Sequence, residues 1–281
     1  MRHHDLIRIQ IENRLYERLV LEAVEYAILS LPYTINRMEL KETSTRIVNI
    51  AKGKLSETLF IHFCRANEIP LRIDTCQTPF YKPDRRDFIL GREEWDLKNN
   101  FLHQQGPVLP PDGYYELPGL IPDRGQWDQW SKRSDCLHQP ETEAVCFLFS
   151  FMKGWQGKQP FLTVSFTPEQ HAFLDEMIVR VGQESEPYDP DWFWSELRTR
   201  GSGKRFNQRL FLHPKLIICG FAGPGELDRF QELEPQTFGS GAMRTRIQNR
   251  GLVIQYLPSF LNLYPRLKES MAWGTILGQG F

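Results

Sequence analysis

The sequence predicts a mixed fold, α/β (α+β), with a central mixed β-sheet flanked by helices and long loop inserts. Three observations lead there. Apolar residues recur at helical spacing through the first quarter of the chain, strand-like runs dominate afterwards, and two stretches rich in Pro, Gly and polar residues interrupt those runs. With 281 residues the chain reads as a single domain, 1–281, with a core at about 43–166 and a C-terminal elaboration of sheet and helix at about 167–281.

Residues 6–29 carry apolar positions between charges and predict a helix that Pro32 ends. A second helix is expected from about Thr43 to Asn67, where Ile47, Ile50, Leu55, Leu59 and Phe63 recur, with Gly53 marking a break. An extended stretch at 70–78 and a Pro-punctuated loop lead to two strand runs, 87–90 and 93–102. Gly91-Arg92 between them reads as a hairpin turn. Residues 104–142 read as a long irregular segment or lid. Strands resume at 144–151 and 160–166, and Pro168 opens a helix. A second polar and aromatic insert covers 183–209. The chain then predicts a strand at 215–222, a short helix around 225–230, a strand at 252–257 and a terminal helical stretch near 258–272.

Composition excludes several classes. Aromatics make up 12% of the chain, enough for a well-filled core, and no low-complexity tract or fixed repeat is visible. The five cysteines (Cys64, Cys76, Cys136, Cys146, Cys219) are odd in number and lack a CxxC pair, which argues against a disulfide framework or a zinc site and for plain buried thiols. No signal-like opening and no apolar run of membrane-spanning length is found, so a cytoplasmic protein with no membrane partner is expected. The formal net charge of −1 does not advertise a nucleic-acid binder, although a local basic groove is compatible with a neutral total.

Chemistry concentrates in RRDFILGREEWDLKNN, residues 85–100. Asp87 opens the first strand of the expected hairpin, and Asp96 and Lys98 stand two apart on the second, where side chains share a face. Trp95 and Leu97 then point to the opposite face, where a core is expected. Paired carboxylates can hold a divalent cation that polarises phosphoryl oxygens and lowers the pKa of a water, and a nearby ammonium can orient that water or offset phosphate charge. Glu57, on the preceding helix, adds a further carboxylate. The plain alternative is a surface hairpin with a solvated charged face.

A helix bearing Glu57, a strand, Asp87 at a strand start, a turn and then Asp96-Leu97-Lys98 resembles the core of the PD-(D/E)xK nuclease superfamily, which includes many restriction endonucleases and Holliday-junction resolvases. The match runs from Lys54 to about Phe101. The resemblance implies a restriction endonuclease-like core, Asp87 and Asp96 as metal ligands, Lys98 as catalytic lysine, Glu57 as an assisting carboxylate, Mg²⁺ (or Mn²⁺) as cofactor, DNA as partner and a possible homodimer. The literal Pro-Asp pair is Pro83-Asp84, so Asp84 stands as an alternative ligand; Asp87 is preferred because it begins a strand. The expected activity is Mg²⁺-dependent DNA endonuclease action of restriction type. The alternatives are a junction or repair nuclease, or a silent nuclease-fold DNA-binding module.

Other patterns carry less. GSGKR at 201–205 fails as a phosphate loop, because Arg198 and Arg205 stand where Gly and Ser or Thr are required. Lys204, Arg205, Arg209, Arg244, Arg246 and Arg250 are the candidates for contacts to a nucleic-acid backbone, against a reading as solvated loops. Trp127, Trp130, Trp192 and Trp194 read more readily as satellite packing than as base-stacking platforms. Glu93 and Glu94 face opposite ways and have no matched second acid for glycoside hydrolysis. His62 is expected in the core.

Overall fold

The computed structural model describes residues 5–74, 76, 78–82, 86–103, 109–134, 141–156, 158–181, 187–265, 267 and 275–278. The chain opens with strand β1 (Ile7–Ile11), not with the expected helix; helix α1 begins only at Asn13 and runs to Ser30. Ile7, Ile9 and Ile11 are buried and alternate with Arg8 and Gln10, so period two governs here and the helical pattern starts after it. Helix α2 (Thr43–Ala66) runs unbroken through Gly53, whose missing side chain faces open space. Its flank of Leu55, Leu59, Phe60 and Phe63 packs against the sheet, and tertiary burial outweighs the propensity penalty of one glycine.

Strand β2 is only Leu71–Arg72, so the extended run expected over 70–78 is cut short. The hairpin is present as β3 (Phe88–Leu90) and β4 (Glu93–Leu102), with Gly91 at φ +65° in the turn. The segment expected to be irregular contains a short helix α3 (Pro111–Tyr115), strand β5 (Pro118–Pro122) and 3-10 turns at Gly125–Trp127 and Trp130–Ser134. Strand β6 (Ala144–Lys153) follows, then a small hairpin of β7 (Trp155–Gln156) and β8 (Gln159–Pro160), and β9 (Leu162–Ser165). Helix α4 (Pro168–Val181) appears as expected, and the second polar insert holds helix α5 (Pro190–Arg200) and β10 (Asn207–Leu210). Asp189 caps α5 and Pro190 opens it, start signals concealed by the aromatic composition around them.

The remainder comprises β11 (Leu216–Ala222), α6 (Pro224–Leu227), β12 (Gln231–Leu233), β13 (Thr237–Phe238), β14 (Met243–Arg244), β15 (Asn249–Val253) and β16 (Thr275–Gly278). The strand expected at 252–257 therefore lies earlier and gives way to a 3-10 turn at Ile254–Tyr256. The terminal helical stretch is a 3-10 turn at Phe260–Asn262; part of that expectation lies outside the described residues.

A seven-stranded mixed sheet, ordered β16-β1-β11-β6-β4-β3-β2, is the centre of the molecule. Strands β4 and β6 are parallel over ten residues, β6–β11–β1 and β4–β3–β2 are antiparallel, and β16 lies parallel to β1. One face carries α1, α2, α4 and α5 over a large apolar core. The other is covered by the three-stranded sheet β12-β15-β5 and its loops, over a second core rich in Phe147, Phe149 and Phe151. Gly119 lets β5 lie on this face, since a Cβ there would stand 2.7 Å from the Phe149 ring. The fold is thus mixed α/β around a mixed sheet.

Candidate functional site

The hairpin's length builds the site. Strand β3 pairs with β4 only as far as Phe88 opposite Trp95, so β4 beyond Trp95 has β6 on one side and no β3 on the other. At that point the chain bends at Asp87, whose amide donates to the Trp95 carbonyl (2.9 Å). Its carboxylate accepts the Leu97 amide at 2.6 Å, satisfying a backbone donor that a longer β3 would have paired. Through this gap the helix side and the β5 side of the sheet share one cleft of about 470 Å³.

Alternation along β4 behaves as the sequence predicts. Trp95 and Leu97 enter the helix-side core, and Asp96 faces the other way, 5% exposed. The Lys98 ammonium donates to Asp96 (2.6 Å) and to the Gln129 side-chain oxygen (2.5 Å), and its Nζ stands 5.6 Å from the centre of the Phe147 ring. Lys132 reaches the same Asp96 oxygen at 3.4 Å. Glu57 enters from α2, held by Lys54 at 2.9 Å. Glu57, Asp87, Asp96, Lys98, Gln129 and Lys132 all line the cleft.

The charged members of this group act on one another. Burial, then the charges of Glu57 and Asp96, push the Asp87 carboxyl well above the usual carboxylate range. Burial would also raise Asp96, but Lys98, Lys132 and Arg86 outweigh it and hold that carboxyl low. Burial brings the Lys98 ammonium down to about 8, against the pull of Asp96. Asp87 and Asp96 are therefore driven apart, because Lys98, Lys132 and Arg86 together outweigh burial at Asp96, whereas at Asp87 burial and two carboxylates outweigh Lys98.

Lys132 is placed by a buried ion pair. Arg86 and Glu94, each 2% exposed, face each other at 3.4 Å, and Arg86 also donates to the Lys132 carbonyl at 2.6 Å. Glu94 is thus structural, which agrees with discounting it as a glycosidase acid. Asp128 accepts the Trp130 amide and caps the turn that carries Lys132.

The sequence did not single out Gln129, Lys132 or Arg37. All three come from irregular segments, where no periodicity predicts which way a side chain points. The SKR run after Trp130 was the only hint of Lys132, and nothing marked Gln129 or Arg37. Asp84 lies outside the described residues, as does Cys136. Among the backbone-contact candidates, Arg244 and Arg246 line the cleft. Lys204, Arg205 and Arg209 are not among the lining residues: Arg205 pairs with Glu25 (3.0 Å), and Arg209 lies over Phe211. Arg250 is bound to Asp123 (2.6 Å) and Glu232 (2.5 Å). Trp194 is buried against Phe193 and Phe206 and Trp130 packs on Phe230 between Arg133 and Arg250, so these two rings pack, whereas Trp192 meets Phe173 but stays exposed. His62 is half-buried at the rim of α2 rather than in the core, and Cys76 is half-buried where a buried thiol was expected.

Among the described residues, no group of three or more His, Cys, Asp and Glu is placed to hold a metal ion. The donor set fits the looser demand of magnesium, which binds through one or two carboxylates, several waters and substrate phosphate. The mutual repulsion of Glu57, Asp87 and Asp96 is the kind that a cation relieves. No helix among the described residues is long and apolar enough to cross a membrane. No protein-family model, no curated protein and no solved structure matches the chain.

Proposed function

We propose that the chain is a Mg²⁺-dependent DNA endonuclease with a restriction endonuclease-like core, hydrolysing phosphodiester bonds in the cleft at the open edge of β4. The observation that carries this reading is the convergence of Asp87, Asp96 and Lys98 with the helix carboxylate Glu57 on one cleft, with Asp87 and Asp96 driven apart in acidity.

Asp87 and Asp96 would hold the cation, and Glu57, whose charge acts on Asp87, would assist as a further carboxylate. A bound divalent cation supplies Lewis acidity toward the phosphoryl oxygens and lowers the pKa of a water. The chain does the rest. In the reaction the water oxygen forms a bond to phosphorus and gives up a proton to solvent, the bond from phosphorus to the leaving sugar oxygen breaks, and the leaving oxygen takes up a proton from solvent. Lys98 has three N–H bonds; Asp96 and Gln129 take two and fix its direction, leaving one for a non-bridging phosphate oxygen or the incoming water. Lys132 adds positive charge where the phosphate becomes more anionic. Arg244 and Arg246 on the cleft wall suit flanking phosphates.

The test is cleavage of a supercoiled plasmid and of a circular single strand with Mg²⁺ or Mn²⁺. Lys98→Ala and Asp96→Ala are each expected to lower the rate by about a hundredfold or more. Undiminished cleavage in both variants would show that the assignment is wrong.

A further inference from the structure

The cleft is small and its reacting groups lie deep. Side-chain exposure is 10% for Lys98 and 7% for Asp96, and the 470 Å³ volume falls within the range of about 300–1,000 Å³ typical of small-ligand sites. A paired double helix presents its phosphates on a broad convex surface, and enzymes that act on a base at a deep site take that nucleotide out of the stack.

Two features of the walls fit such a nucleotide. Tyr33 and Phe80 line the cleft as an edge-to-face pair with ring centres 5.7 Å apart, and Tyr81 and Tyr188 pack around them and hold the rings in place. Between η-turn Leu31–Tyr33 and α2, the loop at 34–40 is closed by Asn36, whose side chain both donates to the Leu40 carbonyl (2.9 Å) and accepts its amide (3.0 Å). That loop presents Arg37, which lines the cleft. The Arg37 Nε is buried and makes no hydrogen bond among the described residues. A buried guanidinium donor without a partner is expensive unless an acceptor arrives, and a phosphate oxygen is the acceptor its planar fork matches.

We propose that DNA enters this cleft as an unpaired strand, with Arg37 on a phosphate next to the scissile one and a base against the Tyr33–Phe80 rings. The inference rests on the nuclease reading and narrows it: a duplex must open locally, or be supplied already open, before its backbone reaches Asp96 and Lys98.

Binding tests it without hydrolysis. Fluorescence anisotropy without divalent metal would compare a labelled single strand of about a dozen nucleotides with the duplex of the same sequence. Counterion release alone favours the duplex, because its charge is denser. The expected result is single-strand affinity at least about tenfold above duplex, lowered about tenfold by Phe80→Ala and by Arg37→Ala, with both variants still melting cooperatively above the assay temperature. A strand carrying 2-aminopurine should be quenched by the native protein and not by Phe80→Ala. Equal or tighter duplex binding, affinity indifferent to both substitutions, or binding of neither DNA form overturns the proposal. Single-strand binding as expected without metal-dependent cleavage in the plasmid and circular-strand assay would leave the strand preference standing and remove the nuclease reading, so the two failures are distinct.

Discussion

Single residues in this molecule carry opposite electrostatic obligations. Lys52 is 6% exposed on α2, with its ammonium over the rings of Phe101, Trp155 and Phe161 and Asn49 at 3.4 Å. Burial brings it down to about 8. A lysine whose folded pKa lies below its unfolded value releases its proton first in the native state, so stability rises as pH climbs from about 8 toward the unfolded value. Denaturant melts between pH 7 and 10 should show that rise, up to about 3 kcal/mol from Lys52. Lys52→Met should remove this share while leaving the one due to Lys98, which burial also brings down to about 8. Asp87 runs the other way: its raised pKa means that stability falls as pH rises from the unfolded value through the folded one. Asp87→Asn keeps an oxygen for the Leu97 amide and removes the buried charge. It should stabilise the metal-free protein by about 0.5–2 kcal/mol while abolishing activity, a trade common at reactive sites. A lower melting temperature for Asp87→Asn without metal would contradict this account. Part of this scale was legible in the sequence: residues two apart on a strand must share a face, which grouped Asp96 with Lys98. The partners Gln129 and Lys132 were not, because a 3-10 turn and its flanks give no periodic signal.

At the scale of elements, the hairpin and the segment at 122–134 act together through Arg86. Removing one member of a buried ion pair weakens the compensation of the other, so Arg86→Met should cost about 3–5 kcal/mol and Glu94→Leu a similar amount. The double variant Arg86→Met with Glu94→Leu should recover much of that loss. Urea melts of the four proteins form a double-mutant cycle, and simple additivity would show that the two side chains do not interact. The hairpin itself was readable from Gly91 and its flanking alternation, and α2 from its apolar spacing. Strand β1 was hidden because Ile7, Ile9 and Ile11 are followed at once by the helical pattern of Leu15, Leu19 and Val20, and two periods run together look like one. Helix α3, helix α5 and β5 were hidden for a different reason. Each is short or opens with Pro in a polar stretch, and each is held by packing against a core formed elsewhere in the chain.

The cleft is lined both by the helical layer and by the small β-layer that cover opposite faces of one sheet. A cation that binds only the folded cleft must stabilise the entire fold, by about 2.7 kcal/mol at a concentration a hundred times its Kd. Thermal melts with Mg²⁺ or Mn²⁺ should therefore rise by several degrees for the native protein. The shift should vanish in Asp96→Asn; an equal shift there would place the bound ion outside this cleft. The layering was readable only in outline, as helices first and a mixed sheet after, because the sequence does not reveal that the β12-β15-β5 sheet folds back over β6 or that β16 lies beside β1.

The carboxylate of Asp87 that occupies the Leu97 amide also guards the protein against its own kind. A bare run of strand backbone is a template on which another chain can grow, and natural proteins cover or blunt such runs. Here the guard is the same side chain that the proposed chemistry would use. Truncating it to Ala would expose a sticky margin as well as silence the site, so insoluble protein from that variant would report on strand recruitment, and only the Asn form would report on chemistry.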